Sequence, residues 1–204
     1  MRVVAVSQRV DEWPERNERR DALDQRVVIW LGVAGFLAVP VPNGLISGDG
    51  LRYWLDAVKP SATLLSGGND LGEAPDRDQV ERELLKFCKE KKLPVLGICR
   101  GMQMMAAFAG SILQPVVGHL RCRHRLAIDV SVAGEFPAEV NSFHNWGLTK
   151  CPDGYRALAL SEPDGLIEAM RHQSLPWEGW AWHPEREQTF SEQELRRVKD
   201  LFGA

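Results

Sequence analysis

A cysteine set between two glycines at the end of an apolar run is the most informative chemical feature of this sequence. In Pro94-Val95-Leu96-Gly97-Ile98-Cys99-Arg100-Gly101-Met102-Gln103 a buried strand runs into a sharp turn and a helix starts at once. This is the G-x-nucleophile-x-G elbow with Cys in place of Ser. The glycines answer a steric need, because larger side chains at Gly97 and Gly101 would collide with neighbouring elements. Cys99 falls at the helix N-terminus, where the macrodipole and unpaired N–H groups favour thiolate over thiol. The competing reading, a structural cysteine in an ordinary strand-to-helix turn, accounts less well for glycine on both sides.

A nucleophile needs a base, and the base needs an orienting group. Trp182-His183-Pro184-Glu185 offers both. The residue before a proline is pushed to extended backbone angles, so His183 and Glu185, two apart in an extended segment, should project to the same side. One imidazole nitrogen could then face Cys99 while the carboxylate holds the other. A histidine near a glutamate is common on surfaces, so this segment draws its weight from the elbow. Acyl transfer also requires an oxyanion hole. Leu64-Leu65-Ser66-Gly67-Gly68-Asn69-Asp70 ends a buried strand at a Gly-Gly turn one strand–helix unit before Cys99. The N–H groups of Gly68 and Arg100 are the expected donors; the same loop could be a plain strand-ending turn or a phosphate cradle.

The elements that must hold these residues are those of an α/β protein: a mostly parallel central sheet flanked by helices, with an additional antiparallel strand region in the second half. Strands are expected at Arg2 to Val6, Gly35 to Val39, Ala62 to Leu65 and Pro94 to Ile98. Helices are expected at Asp21 to Leu31, Leu51 to Val58 and Asp78 to Lys91, the last with Val80, Leu84, Phe87 and Cys88 on one stripe. After Leu126 the pattern turns to strands at Leu126 to Val130, Glu139 to Ser142, Tyr155 to Leu160, Leu166 to Arg171 and Trp177 to Trp182. Ser191 and Glu194 then supply a capping box for a last helix, Glu192 to Phe202. At 204 residues, without repeat, low-complexity tract or linker, a single domain over 1–204 is expected.

Composition narrows the partners. With 44% hydrophobic and 26% charged residues and a net charge of −3, the chain is ordinary for a soluble globular protein and lacks the basic footprint of a nucleic-acid binder. No apolar run reaches the roughly 18 residues of a membrane span, and Met1 leads straight into a strand-like segment, so a cytoplasmic protein with no membrane partner is expected. Cys88, Cys99, Cys122 and Cys151 follow neither a disulfide nor a C-x-x-C spacing and are expected to be free.

Taken together, Ser66-Gly67-Gly68, Gly97-Ile98-Cys99-Arg100-Gly101-Met102-Gln103 and His183-Pro184-Glu185 resemble the class I glutamine amidotransferase superfamily, and within it the free-standing γ-glutamyl hydrolase branch, peptidase family C26. The likeness runs from Arg2 to about Glu187. Val140-Asn141-Ser142-Phe143-His144 resembles that branch's VNSxH motif beside the substrate pocket, and Val4-Ala5-Val6-Ser7-Gln8-Arg9 its opening strand. The resemblance implies Cys99 as nucleophile, His183 as base and Glu185 as orienter, with Gln103, His144, Ser142 and Asn69 around a small γ-glutamyl substrate and no cofactor. The chain departs from γ-aminobutyrate-type members in its short stretch between Asp70 and Asp78, and in Asn145-Trp146 where many members have His-Gln. The short loop, the compact size and the opening Ser7-Gln8-Arg9 are similar to the γ-glutamyl-CDP-amidate hydrolases of capsule phosphoramidate synthesis.

Two further clusters call for a reading. His119, Cys122 and His124 with Cys151 could be taken for a metal site, but H-x-x-C-x-H fits no zinc spacing and no metal is expected. Four of the six residues from Arg121 to Leu126 are Arg or His, which points to a basic loop. Arg121, Arg123 and Arg125 are either solvated or, through guanidinium geometry, receivers of phosphate on the leaving group. The tryptophans Trp177, Trp180 and Trp182, with Trp146, are read as core packing. Three functions compete: a self-sufficient γ-glutamyl amide hydrolase, a glutaminase subunit feeding ammonia to a synthase, and a non-hydrolytic elbow-cysteine module. The His183–Glu185 pair disfavours the third, and the Asn141-to-His144 motif favours the first.

Overall fold

Short aliphatic runs alternate with amphipathic stretches through the first half, and they fold as alternating strands and helices. The computed structural model describes residues 2–203. In chain order it comprises β1 (Arg2–Val6), a hairpin of β2 (Arg9–Trp13) and β3 (Glu18–Ala22), α1 (Gln25–Val33), β4 (Phe36–Pro40), α2 (Gly50–Val58), β5 (Ala62–Leu65), α3 (Pro75–Lys91), β6 (Val95–Ile98) and α4 (Arg100–Phe108). The second half follows with β7 (Gln114–Pro115), β8 (Leu120–Ile128), β9 (Glu139–Phe143), β10 (Trp146–Gly147), β11 (Tyr155–Ser161), β12 (Ile167–His172), β13 (Trp177–Trp180) and α5 (Glu192–Phe202).

Nine strands form one sheet in the order β4-β1-β5-β6-β13-β12-β11-β8-β9. The first five run parallel and the last four pair antiparallel. Alternation along the parallel strands sorts the core into two layers. Val4, Val6, Leu64, Leu96 and Ile98 face Trp30 of α1 and Phe202 of α5. Ala5, Leu65 and Val95 face Val80, Leu84 and Cys88 of α3 and Met102 and Met105 of α4. Trp180 and Trp182 stack with ring centres 5.5 Å apart inside the first layer, so they are core as expected, whereas Trp146 is more than a third exposed.

The boundaries differ from expectation in three instructive places. The first helix starts at Gln25 rather than Asp21, because the Asp24 side chain accepts the Arg26 N–H as an N-cap while Asp21 and Ala22 belong to β3. The β2–β3 hairpin carries seven charged residues in ten, a composition depleted in strands, and is held by outside anchors such as Arg19 on Asp76. Arg121 to Arg125 are not a loop: they lie in β8, where pairing with β9 overrides their low strand preference. Among the described residues no helix is long and apolar enough to cross a membrane.

Candidate active site

β5, β6 and β13 are adjacent and parallel, so their C-terminal ends open on one edge of the sheet, the edge where α/β proteins place their sites. Each end carries one of the segments singled out above. The Cys99 N–H donates to the Trp180 carbonyl oxygen at 2.7 Å, joining the elbow to the strand that leads into His183. Cys99 sits at φ +51°, ψ −106°, a conformation few non-glycine residues adopt. A Cβ at Gly101 would lie 2.1 Å from the Leu65 carbonyl oxygen, and one at Gly97 would lie 2.6 Å from both the Gly101 carbonyl carbon and the Met105 sulfur. Both glycines are therefore sterically required.

His183 Nδ1 and Glu185 Oε1 are 2.6 Å apart, both buried. Contrary to expectation the segment is not extended throughout: Pro184–Arg186 form a 3₁₀ turn closed by the Arg186 N–H on the His183 carbonyl oxygen, and this turn brings the carboxylate back to the imidazole. Asn141 clamps the base from behind, accepting the His183 N–H at 3.0 Å and donating to its carbonyl at 2.8 Å. Burial opposes both charges of a Cys–His ion pair. For Cys99 it is outweighed chiefly by the charge and hydrogen bond of His183, which hold the thiol below its ordinary value. For His183 it is outweighed by Glu185 and Cys99, and the imidazole is raised to about 9. Both shifts favour the thiolate–imidazolium pair over the neutral pair.

Arg100 opens α4, where its N–H has no partner within the helix, the position expected of an oxyanion donor at the elbow. The Gly-Gly loop lies against the base: a Cβ at Gly67 would stand 2.6 Å from His183 Cε1. Gly68, at φ +85°, is held by a device that is not obvious in the sequence. Arg77, buried on α3, donates to the carbonyl oxygens of Ser66 at 2.7 Å, Gly67 at 3.0 Å and Gly68, and pairs with Glu81. Glu81 also accepts from Arg100, while the Ser7 hydroxyl donates to Glu81 and accepts the Ser66 N–H. With its carbonyls tied inward, the loop can present N–H groups outward. The signal was there: Arg77 and Glu81, four apart, continue the Leu84–Cys88 stripe where charge should not be.

Cys99, Gln103, His144 and Trp146 line a tight slot on one side of the sulfur. Gln103 Nε2 and His144 Nδ1 both bond the Trp146 carbonyl oxygen, and the indole of Trp146 donates to Asp70. A second cavity of about 260 Å³, lined by Arg9, Gly67, Gly68, His183 and Arg186 among others, opens on the other side. A cleft of about 940 Å³ beside α2 and α3 shares no lining residue with either of these. Four expected binding residues are occupied elsewhere. Asn69 exchanges hydrogen bonds with the Val10 backbone and so anchors the β2–β3 hairpin. The Ser142 hydroxyl donates to the His119 carbonyl. Arg123 pairs with Glu139 and Glu187, and Arg125 with Glu162; none of Arg121, Arg123 and Arg125 lines either cavity at the triad.

The Peptidase C26 family model matches residues 3–185. The chain belongs to this family. It is 37% identical over 141 residues to the γ-glutamyl-CDP-amidate hydrolase of Campylobacter jejuni, the match covering 66% of each chain. It is 34% identical over 119 residues to a glutamine-hydrolysing GMP synthase component of Archaeoglobus fulgidus, covering 56% of this chain and 64% of that one. The chain thus spans just under two thirds of the length of either relative. To the anthranilate synthase component 2 of Thermococcus kodakarensis it is 29% identical over 171 residues, covering 79% and 82%. A solved Thermoplasma acidophilum structure, assigned to a GMP synthase component, superposes with a TM-score of 0.74 at 22% identity, over 100% of this chain and 93% of that one, which establishes the shared fold.

Proposed function

We propose that the protein is a cysteine hydrolase of γ-glutamyl amides. The observation that carries this reading is the buried Cys99–His183–Glu185 arrangement at the ends of two adjacent parallel strands. Cys99 Sγ attacks the γ-carbonyl carbon, and the developing oxyanion is met by the Arg100 N–H and an N–H of the Gly67–Gly68 loop. As the tetrahedral intermediate collapses, the C–N bond breaks, His183 gives its proton to the leaving nitrogen and a thioester remains. A water, losing a proton to His183, then attacks the thioester; glutamate leaves and the thiolate returns.

For the leaving group we propose a nucleotide amidate of the γ-glutamyl-CDP-amidate type, in a capsule phosphoramidate route. The identity to the Campylobacter jejuni hydrolase supports this. Arg9 and Arg186 line the cavity beside His183 and are the cations nearest to meet its phosphates, Arg9 on release from Asp11 at 2.7 Å. Arg121 remains a candidate from the basic run, whereas Arg123 and Arg125 would first have to leave their carboxylates. The likeness to glutamine-using synthase components supports a second reading, delivery of ammonia from glutamine to a partner.

Glutamate release from glutamine, a γ-glutamyl peptide, γ-glutamyl-γ-aminobutyrate and a γ-glutamyl nucleotide amidate separates these readings. Turnover of the amidate by the purified chain alone, with kcat/KM well above that for glutamine, is expected. In the same assay Arg9→Ala or Arg186→Ala should lower kcat/KM for the amidate roughly ten- to a hundredfold while sparing the neutral amides. Activity confined to glutamine would favour the glutaminase reading, and equal loss on all substrates would remove the phosphate role of these arginines.

A further inference from the structure

Behind the slot, the antiparallel half of the sheet gathers four ionisable side chains, of which only His144 also reaches the slot wall. His119 precedes β8 by one residue, His124 lies in β8, His144 follows β9 and Glu168 lies in β12; all four are more than nine-tenths buried. Neither carboxylate oxygen of Glu168 has a hydrogen-bond donor, and His124 Nε2 and His144 Nε2 are likewise unpartnered. A fully buried carboxylate needs a compensating positive charge, either a proton or a cation.

The geometry separates the two. His119 Nδ1, His124 Nε2 and His144 Nε2 lie 3.5, 3.6 and 3.5 Å from the same oxygen, Glu168 Oε1. A shared proton would shorten one contact at the expense of the others, as it does for His183 and Glu185 at 2.6 Å. Three near-equal separations instead approach the edge of a tetrahedron, roughly 3.3 Å when metal–ligand bonds are about 2.0–2.1 Å. The far side of each ring agrees. His119 Nε2 meets Asp164 Oδ2 at 2.9 Å, His144 Nδ1 the Trp146 carbonyl at 3.1 Å and His124 Nδ1 the Arg125 carbonyl at 3.4 Å. Each outer nitrogen therefore carries the proton, and each inner nitrogen turns a lone pair toward Glu168, the carboxylate- or carbonyl-backed arrangement of metal-ligating histidines. The Ser142 hydroxyl proton, spent on the His119 carbonyl, leaves that lone pair free.

We propose that His119, His124 and Glu168, whose ligand atoms lie within 4.8 Å of one another, bind one divalent cation of the Zn²⁺ class, with His144 as a fourth ligand. The site ties β8, β9 and β12 together. Because His144 also walls the slot beside Cys99, it fixes that wall in place. Sequence spacing pointed away from it, since Glu168 and His144, not Cys122, complete the set: Cys122 Sγ donates to the Gly118 carbonyl instead.

The test uses untagged full-length protein stripped with chelator, titrated with Zn²⁺ alone, and read by bound metal per chain and by Tm. The Cys99→Ala variant is carried in parallel to remove zinc binding at the nucleophile. The expected result is one Zn²⁺ per chain in both proteins, and a Tm raised by about 5–10 °C at a hundredfold excess over Kd. Glu168→Gln and His124→Ala should lose the zinc-dependent Tm shift, each judged against its own metal-free Tm. No stoichiometric binding by the folded wild-type protein, or binding that survives both substitutions, would overturn the proposal.

Discussion

Cys99 and His183 hold their charges against burial, and the sources of that support differ. The thiolate depends chiefly on His183, the imidazolium on Glu185. The active ion pair therefore exists above the lowered thiol pKa and below the raised imidazole pKa, so kcat/KM should fall on the alkaline side near pH 9. Glu185→Gln removes the largest raising influence on His183, and the alkaline limb of the profile should move to lower pH; an unmoved limb would mean that another group sets it. Cys99→Ala and His183→Asn should each reduce kcat by at least about 10⁴-fold, with Glu185→Gln one to two orders of magnitude less severe.

Two elements carry strain or charge for the sake of the site. α3 places Arg77 and Glu81 against the Ser66–Gly68 loop, and breaking such a buried pair costs about 3–5 kcal/mol. Arg77→Lys keeps the charge and loses the fork of donors. Tm should drop and kcat should fall roughly tenfold or more, while the alkylation rate of Cys99 by iodoacetamide stays near wild type, because the thiolate is stabilised by His183 and Arg100. A parallel loss of alkylation would show general unfolding of the elbow. In α5, Glu194 accepts the Trp182 indole N–H at 2.6 Å in a buried setting that raises its carboxyl from 4.5 to about 7. The folded chain thus holds this proton more tightly than the unfolded one, and stability falls as pH rises from about 4.5 to 7. Glu194→Gln, measured by denaturant unfolding, should gain up to about 3 kcal/mol relative to wild type between pH 5 and pH 8.

The whole chain also sorts its thiols. Burial pushes Cys88 and Cys151 up to about 11, whereas Cys99 is lowered, so iodoacetamide at pH 7 should label Cys99 well ahead of those two, a result peptide mass spectrometry can read. Much of this was legible in order along the chain. The elbow, the His183–Glu185 pair and the strand–helix alternation depend on local spacing, on glycine sterics and on apolar period, which act over a few residues and leave their mark in the sequence. What local spacing could not tell is which strands become neighbours. Pairing of β13 with β6 brings His183 to Cys99 from the far end of the chain, and pairing of β8 with β9 turns a run of arginines and histidines into a strand with one buried face. Adjacency decides which polar groups lose water, and a group deprived of water must find a partner. That is why Ser142 is bound to a protein group rather than left to a substrate, and why Arg77 with Glu81, and Glu168 with three histidines, emerged only in the folded chain.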